Sequence, residues 1–485
     1  MTITAQSQSA PPTLDAVIDG WVRPIADATS SFIFYSVEVF GTPIPLIVVW
    51  LIGGGLFFTV YLRFINLRGF KHAVNIVRGK YVHADDPGQI SQFQALATAV
   101  SGTVGIGNIA GVAVAISVGG PGATFWLIVA GLLGMSTKLA ECTLGVMFRK
   151  YENGVVSGGP MYYLEQGLKQ RNWPKLGRAL GIFYAASMVI GCLGIGNMFQ
   201  SNQAAAILIN VTGGPASFFA DQSWLIGLIL AVAVGVVIIG GIQSIAATTI
   251  KLVPGMALLY MVTALLVLAL NYQNIPAALI AIWDGAFDPQ GVSGGIIGVM
   301  IIGFRRAVFS NEAGLGSAAI AHATARTREP VSEGLVALLE PFIVTVVICT
   351  LTALVIITTV YEPELAGQSI VGIELTTRAF ASTLTWSPLP LSLAAFLFAY
   401  STIIAWSYYG LKAFTYLFGH HASTEVGFKL FFLCFVVLGS SIELSSLIDL
   451  SDALVFIVAI PNLLGLYLLA PLIKSELLTY ERKYL

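Results

Sequence analysis

The chain has 485 residues, of which 56% are hydrophobic and 10% charged, and its formal net charge is −1. This composition, with a mean hydropathy of +0.84, excludes a soluble globular protein of this length. The near-neutral charge gives no indication of a nucleic-acid partner. Several apolar runs exceed the roughly 18 residues that cross a bilayer. We therefore predict an all-α polytopic membrane protein.

The N-terminal stretch MTITAQSQSAPPTLD has neither the basic nor the apolar region of a secretory signal, so no cleavable signal peptide is predicted. Residues 13–40 mix apolar, aromatic and acidic side chains. That mixture is typical of a helix that lies along the membrane interface rather than across it.

Eleven segments are predicted to span the membrane. They lie near residues 43–62, 93–118, 123–148, 180–211, 223–240, 251–270, 294–321, 335–360, 388–418, 427–447 and 449–472. Lysine and arginine concentrate in alternate loops: after the first, third and seventh spans, and at the C-terminus. The positive-inside rule therefore predicts a plasma (inner) membrane protein with its N-terminus outside and its C-terminus in the cytoplasm.

Two of these spans are interrupted by polar, glycine-rich stretches. SGTVGIGN occupies residues 101–108 of the second span, and SNEAGLGS occupies residues 310–317 of the seventh. Glycine costs a helix about 1 kcal/mol relative to alanine, and unwound backbone inside a bilayer is tolerated where it lines a cavity or binds a ligand. Paired interruptions in corresponding halves of a chain indicate a binding site at the middle of an inverted-repeat transporter.

The interruptions begin two groups of five spans, which we expect to be inverted repeats. Residues 93–271 form the first repeat, and residues 272–474 form the second. Residues 1–92 hold the interfacial segment, the extra first span and a cytoplasmic linker, and residues 475–485 form a cytoplasmic tail. The first interruption also contains a G-x-x-x-G pattern, which alone would indicate helix packing. The matching interruption in the seventh span favours ligand binding.

Six motifs spread along the chain resemble those of the alanine or glycine:cation symporter family, the sodium:alanine symporters. They read SGTVGIGNIAGVAVAI, GGPGATFW, GGPMYY, IGNMFQSNQ, FSNEAGLGSA and STIIAWSYYG. The resemblance implies a LeuT-like fold of two inverted five-helix repeats preceded by one extra span. It also implies sodium-coupled inward symport of small neutral amino acids (alanine or glycine) by alternating access. Ile106 stands where the family often has threonine, which widens the expected substrates to serine or glutamine.

An amino-acid substrate needs donors for its carboxylate and acceptors for its ammonium group. Backbone N–H groups of an interrupted helix suit a carboxylate. Together with the resemblance, this gives the expected substrate-binding residues Thr103, Gly105, Gly107, Asn108, Gln200, Phe304, Phe309, Ser310, Asn311, Thr402 and Trp406. The alternative interpretations are loop bracing for Asn108, an interhelical hydrogen bond for Gln200 and packing for Trp406.

Sodium prefers oxygen ligands, which freed carbonyls and hydroxyl groups supply without a full negative charge. By analogy with the LeuT-like arrangement, the expected ligands are carbonyls of Ser101, Val104 and a residue near Phe398, and hydroxyls of Ser401 and Thr402. A serine–threonine pair inside a span also commonly bonds back to the preceding turn, which is the alternative. No cofactor is expected besides sodium as the coupling ion.

Ionisable residues inside a span are costly and are therefore paired or functional. Lys138 and Glu141 are three positions apart in the third span, so we expect them to pair on one helix face. Glu312, in the second interruption, is expected to pair with a preceding arginine or to serve as a gate. The alternative function is a proton-coupled symporter of the same fold, in which Glu312 or Glu340 would carry the proton.

Other functional classes are disfavoured. The sequence has no filter repeat or regularly charged pore face of a channel. Its five histidines lie at loops or span ends, and neither HExxH nor GxSxG occurs. Its four cysteines are widely spaced in apolar segments and indicate neither disulfides nor a zinc site. We therefore expect a transporter rather than an enzyme, with a small neutral amino acid, sodium and the bilayer as its partners.

Overall fold

The computed structural model describes residues 14–39, 42–81, 85–152, 155–288, 294–362, 372–442 and 444–484. Residues 1–13, most of the stretch for which no signal peptide is predicted, lie outside the described residues. The described part of the chain is mostly helical, as predicted, and its strands form two short antiparallel hairpins.

The helices of the described residues include at least one that overlaps each predicted span. In the first half of the chain they are α1 (Leu14–Ile33), α2 (Leu46–Tyr61), α3 (Ile65–Arg68), α4 (Phe70–Val77), α5 (Gln92–Thr103), α6 (Ala110–Gly119), α7 (Gly122–Met147), α8 (Pro160–Gln170), α9 (Pro174–Leu193), α10 (Phe199–Val211), α11 (Ser223–Ile238), α12 (Gly241–Leu270) and α13 (Ile275–Phe287). In the second half they are α14 (Gly295–Asn311), α15 (Ser317–His322), α16 (Pro330–Ala337), α17 (Leu339–Pro341), α18 (Thr350–Thr359), α19 (Gly372–Thr383), α20 (Pro388–Phe418), α21 (Ala422–Gly439) and α22 (Leu444–Tyr484).

Short non-α elements connect or interrupt these helices. Tight 3₁₀ turns lie at Ile106–Asn108, Gly214–Ala216 and Tyr272–Asn274, and π-helical segments lie at Gly194–Met198 and Phe342–Cys349. The first hairpin pairs β1 (Ser36–Val39) with β2 (Thr42–Pro45), and the second pairs β3 (Lys150–Glu152) with β4 (Val155–Ser157).

By length and apolar composition, seven helical segments within the described ranges can cross a membrane, and the bent pair α5–α6 makes an eighth. Helices α2 and α11 are apolar but shorter, at 16 residues each. The seventh predicted span is divided between α14, with 17 residues, and α15, with six. The multi-pass architecture is therefore established, while the total of eleven spans stays a prediction.

The first interrupted span is bent by 65° between α5 and the segment Ile106–Gly119. Helix α5 begins with a capping box, in which Ser91 Oγ accepts from the Gln94 backbone N–H and Gln94 Oε1 accepts from the Ser91 backbone N–H. After Thr103 the chain unwinds, and it resumes a helical path in the turn Ile106–Asn108. The polar, glycine-rich sequence thus produces the predicted break.

The second interrupted span breaks because its backbone enters the left-handed region. Glu312, Gly314 and Gly316 have φ angles of 57°, 95° and 74°. The left-handed conformation of Glu312 ends α14. Gly314 and Gly316 then adopt left-handed angles without strain, because glycine has no β-carbon. Helix α15 then starts at Ser317, and the residues from Val308 to His322 are buried.

Helix α20 packs against α5 and against the π-helical segment between α9 and α10. The contact with the π-helical segment is close, because a β-carbon on Gly196 would collide with the Trp406 ring. Glycine therefore lets the Trp406 ring lie on the backbone of a helix that is already locally widened. This packing holds α20 beside the first interruption.

Arg149, just after α7, connects the ends of both interrupted spans. Its guanidinium group donates to the carbonyl oxygen of Pro87, in the segment before α5, at 3.0 Å. It also donates to the carbonyls of Ala323, Ala325 and Thr327, after α15, at 3.0, 2.7 and 2.6 Å. One side chain thus fixes two backbone segments, which are further joined by a bridge between Ile90 and Ala325.

Replacing Arg149 by alanine is expected to loosen both segments, because each of four carbonyl groups loses a donor. Each such bond contributes about 0.5–1.5 kcal/mol, so amide hydrogen exchange in these segments should accelerate at least about tenfold. Arg149→Lys should give an intermediate rate, and the exposed Arg178→Ala should leave exchange there unchanged. Equal protection in Arg149→Ala and the parent protein would contradict the assignment.

Candidate functional site

The first interruption is braced from within by Asn108. Its Nδ2 donates to the carbonyl oxygens of Thr103 and Gly105, at 2.7 and 3.2 Å. Its own backbone carbonyl accepts from Thr352 Oγ1 at 3.0 Å. The side chain therefore closes the unwound segment into a compact loop, as the bracing interpretation of this asparagine expects.

Helix α20 contacts the carbonyl groups at the end of α5. Thr402 Oγ1 donates to the carbonyl oxygen of Ser101 at 2.9 Å. In the opposite direction, Ser101 Oγ donates to the carbonyl of Ser401 at 2.8 Å, and Ser401 Oγ donates to the carbonyl of Phe398 at 3.1 Å. Val104, the residue after α5, is also fully buried. The structure thus gathers four of the five predicted sodium ligands, Ser101, Phe398, Ser401 and Thr402, at one crossing of α5 and α20.

Gln200 links the first interruption to the π-helical segment. Its Oε1 accepts from the backbone N–H of Ile106 at 3.1 Å, and its Nε2 donates to the carbonyl of Ile195 at 2.9 Å. Gly105 lies directly against it, because a β-carbon there would be 2.9 Å from Gln200 Oε1 and equally close to Thr402 Oγ1. Two of the predicted substrate residues, Gln200 and Thr402, therefore flank the same glycine.

The second interruption meets the first through Ser310 and Phe309. Ser310 Oγ donates to Asn108 Oδ1. The Phe309 ring packs against Gly107, where a β-carbon would lie 2.9 Å from the ring, and it contacts the ring of Phe199 edge to face. These residues join the two interrupted spans into one buried site.

Two other predicted residues face a different neighbourhood. Phe304 and Asn311 line a small cavity of about 20 Å³ together with Leu51, Gly134 and Leu463. Asn311 Oδ1 accepts from the backbone N–H of Ala313 within the second interruption. The structure therefore does not bring Phe304 and Asn311 together with the residues around Gly105.

Trp406 contacts both interruptions with one donor. Its indole N–H lies 3.2 Å from the carbonyl oxygen of Gly102 and 3.1 Å from Glu312 Oε1. Glu312 Oε2 accepts from Ser317 Oγ. The Trp406 side chain is 1% exposed, so besides donating these hydrogen bonds it packs in the protein interior.

The predicted ion pair between Lys138 and Glu141 is wrong. The ion pair of Lys138 is formed with Glu340, with 3.2 Å between Nζ and Oε1, rather than with Glu141. Glu141 Oε1 instead accepts from the backbone N–H groups of Gly314 and Gly316 and from Asn462. A carboxylate that binds the unwound backbone satisfies donors that a helix would otherwise pair.

Glu312 pairs with neither arginine that precedes it. Arg305 and Arg306 both bind Asp452 at the start of the last long helix. Sequence reasoning missed Asp452 and Asn462. The signal for Asp452 was present, because an ionisable residue inside a predicted span requires a partner.

Comparison with known proteins decides the family. A model of the sodium:alanine symporter family matches residues 28–484. The chain belongs to the sodium:alanine symporter family. Membership confirms the predicted class of function, a secondary transporter that couples amino-acid symport to sodium. Proteins of this family are transporters rather than enzymes.

Individual relatives agree with this result. The sodium/alanine symporter AgcS of Methanococcus maripaludis is 39% identical over 437 residues, which cover 89% of this chain and 93% of that protein. The probable sodium/glutamine symporter GlnT of Bacillus subtilis is 32% identical, over 90% of this chain and 88% of that protein. The crystal structure of MhsT in complex with L-phenylalanine has a TM-score of 0.58 at 14% identity and covers 81% of this chain and 99% of that one. This likeness confirms the LeuT-like fold.

Proposed function

We propose that this symporter carries alanine, and other amino acids with small neutral side chains, into the cell together with sodium. The observation that carries the proposal is the crossing of α5 and α20, where Thr402 and Trp406 donate to the carbonyl groups of Ser101 and Gly102. A ligand bound at this crossing contacts a segment that can change its backbone conformation. Binding there is therefore suited to drive alternating access.

Sodium is proposed to bind among the oxygens of this crossing. The carbonyls of Ser101, Val104 and Phe398 and the hydroxyls of Ser401 and Thr402 supply hard, uncharged ligands, which a monovalent cation accepts. The hydroxyl groups of Ser401 and Thr402 already bond to carbonyl oxygens across or along the helices. Turning these hydroxyls so that their lone pairs face the ion would exchange those bonds for coordination.

The amino acid is proposed to bind beside the unwound loop around Gly105 and Gly107. Backbone N–H groups there, such as that of Ile106, would exchange their present acceptors for the substrate carboxylate. Gln200 and Thr402 approach Gly105 closely, and the Phe309 ring approaches Gly107 closely. Since little room remains beside the backbone, a small side chain such as that of alanine or glycine fits best.

The remaining parts of the proposal concern orientation and architecture. Loop charges place the N-terminus outside and the C-terminus in the cytoplasm of the plasma (inner) membrane. The two groups of spans, residues 93–271 and 272–474, act as inverted repeats. Serine and glutamine stay as alternative substrates, because Ile106 replaces a hydroxyl side chain that is common in the family.

The proposal is tested by uptake of labelled alanine into proteoliposomes. Alanine should accumulate under an inward sodium gradient and should fail to accumulate under a proton gradient in sodium-free buffer. Unlabelled glycine and serine should compete more strongly than glutamine. Accumulation driven by protons alone would overturn sodium coupling, and preferential competition by glutamine would overturn the choice of substrate.

A further inference from the structure

A second group of buried residues, apart from the proposed sodium ligands, surrounds the second interruption. Lys138, Glu141, Glu312 and Glu340 form this acidic cluster, and each is at most 1% exposed. With all four ionised, three carboxylates would face one ammonium group, which leaves two uncompensated negative charges in the protein interior. Because burying an unpaired charge is very costly, such a site takes up protons or cations.

Two carboxylate oxygens of the acidic cluster are buried without a hydrogen-bond partner. They are Oε2 of Glu141 and Oε2 of Glu340. Their other oxygens bind the interruption's backbone and Lys138, respectively. Within the described ranges, no three His, Cys, Asp or Glu side chains are grouped so that they could hold a metal ion by themselves. A proton needs a single oxygen and therefore suits the cluster better.

Glu312 is the member of the acidic cluster that reaches the transport site. It adopts the left-handed conformation that ends α14, and its Oε1 accepts from the Trp406 indole, which also donates to Gly102. Gly102 follows Ser101, a proposed sodium ligand. The ionisable groups around Glu312 are Lys138 and Glu141 of α7, Glu340 of α17, Tyr184 of α9 and Tyr409 of α20.

We propose that Glu312 binds a proton in the sodium-free transporter and releases it when sodium binds. This inference rests on the proposed sodium site and adds a second ion to it. A cation beside Ser101 favours the ionised carboxylate of Glu312, because opposite charges attract most strongly in a low-dielectric interior. Ionised Glu312 in turn is the stronger acceptor for the Trp406 N–H, which weakens the bond from Trp406 to Gly102.

A second buried pair of ionisable side chains lies beyond the second interruption. At the far end of α15, His322 Nδ1 lies 2.5 Å from Glu333 Oε1, and both side chains are fully buried. His322 Nε2 and Glu333 Oε2 are also without partners. Cys142, the residue after Glu141, interacts electrostatically with both Glu333 and Glu340. His322 is followed by the loop that carries Arg326 and Arg328, which is predicted to be cytoplasmic, and we expect the proton to leave on that side.

The test is proton release by the purified full-length transporter in weakly buffered detergent solution with a pH-indicator dye. Addition of sodium chloride should release about one proton per transporter at a pH where Glu312 is protonated, and potassium chloride should release none. Sodium affinity should fall about tenfold for each unit of decreasing pH at the acidic end of the range, because proton and sodium compete. Glu312→Gln should abolish both the release and this pH dependence.

The control variant is Glu374→Gln, which removes an exposed carboxylate of α19 and should release the same proton as the parent protein. An independent measurement on the parent protein alone is the infrared difference spectrum, in which sodium should remove a protonated-carboxyl band. Sodium binding without proton release, or equal release from Glu312→Gln, would overturn the inference and leave sodium coupling intact. Absence of any sodium binding would instead overturn the proposed function, and the inference with it.

Discussion

Replacing Thr402 by alanine is expected to raise the sodium concentration needed for half-maximal alanine uptake by about 10- to 100-fold. The mutation removes a proposed sodium ligand, the hydroxyl group that donates to the carbonyl of Ser101 at 2.9 Å when no ion is bound. A buried ion that loses one polar partner is destabilised by about 1–3 kcal/mol, and about 1.4 kcal/mol corresponds to a tenfold change in affinity. Uptake at several sodium concentrations in proteoliposomes measures the effect.

Two variants on the same helix separate coordination from general damage. Thr402→Ser keeps the hydroxyl group and should retain most of the sodium affinity. Thr415→Ala removes a buried hydroxyl that donates within α20, to the carbonyl of Lys412, and should leave sodium dependence unchanged. An unaltered sodium dependence in Thr402→Ala would place the coupling ion elsewhere.

The interruptions themselves were predictable from sequence, because glycine and polar residues in the middle of an apolar span have a local physical consequence. The gathering of Ser101, Ser401 and Thr402 followed from the resemblance and agrees with the crossing of α5 and α20. Local pattern does not, however, determine which helices meet. This is why two separate spans can be recognised as broken before their contact through Asn108 and Ser310 is known.

The charge pairs were not predictable for the same reason. Lys138 and Glu141 share a helix, so helical spacing suggested that they pair, but the partner of Lys138 is Glu340, 202 positions away. Tertiary packing determines such a pair, because the third and eighth predicted spans have no fixed relation in sequence. The role of Arg149 was not predictable either. In the sequence it is one of the loop charges after the third span, but its half-buried guanidinium group binds four backbone carbonyls.

Replacing Gln200 by alanine is expected to weaken alanine binding about 100-fold while changing sodium affinity less than about tenfold. The mutation leaves the Ile106 N–H and the Ile195 carbonyl without partners, and each costs about 1–3 kcal/mol when buried. Both groups shape the backbone that is proposed to receive the substrate carboxylate, whereas the proposed sodium ligands keep their own hydrogen bonds. Titration of alanine at saturating sodium, and of sodium alone, separates the two affinities.

Matched variants identify which end of the Gln200 amide matters. Gln200→Glu keeps an acceptor for Ile106 but loses the donor to Ile195, so it should bind alanine more tightly than Gln200→Ala if the interruption is the important partner. Gln203→Ala removes a buried amide from the same helix, whose Nε2 donates to Asn202, and should bind alanine normally. Equal alanine affinity in Gln200→Ala and the parent protein would show that the amide merely joins helices. Since Gln200 connects the first interruption to the π-helical segment, a selective loss of alanine affinity would make that connection part of substrate binding.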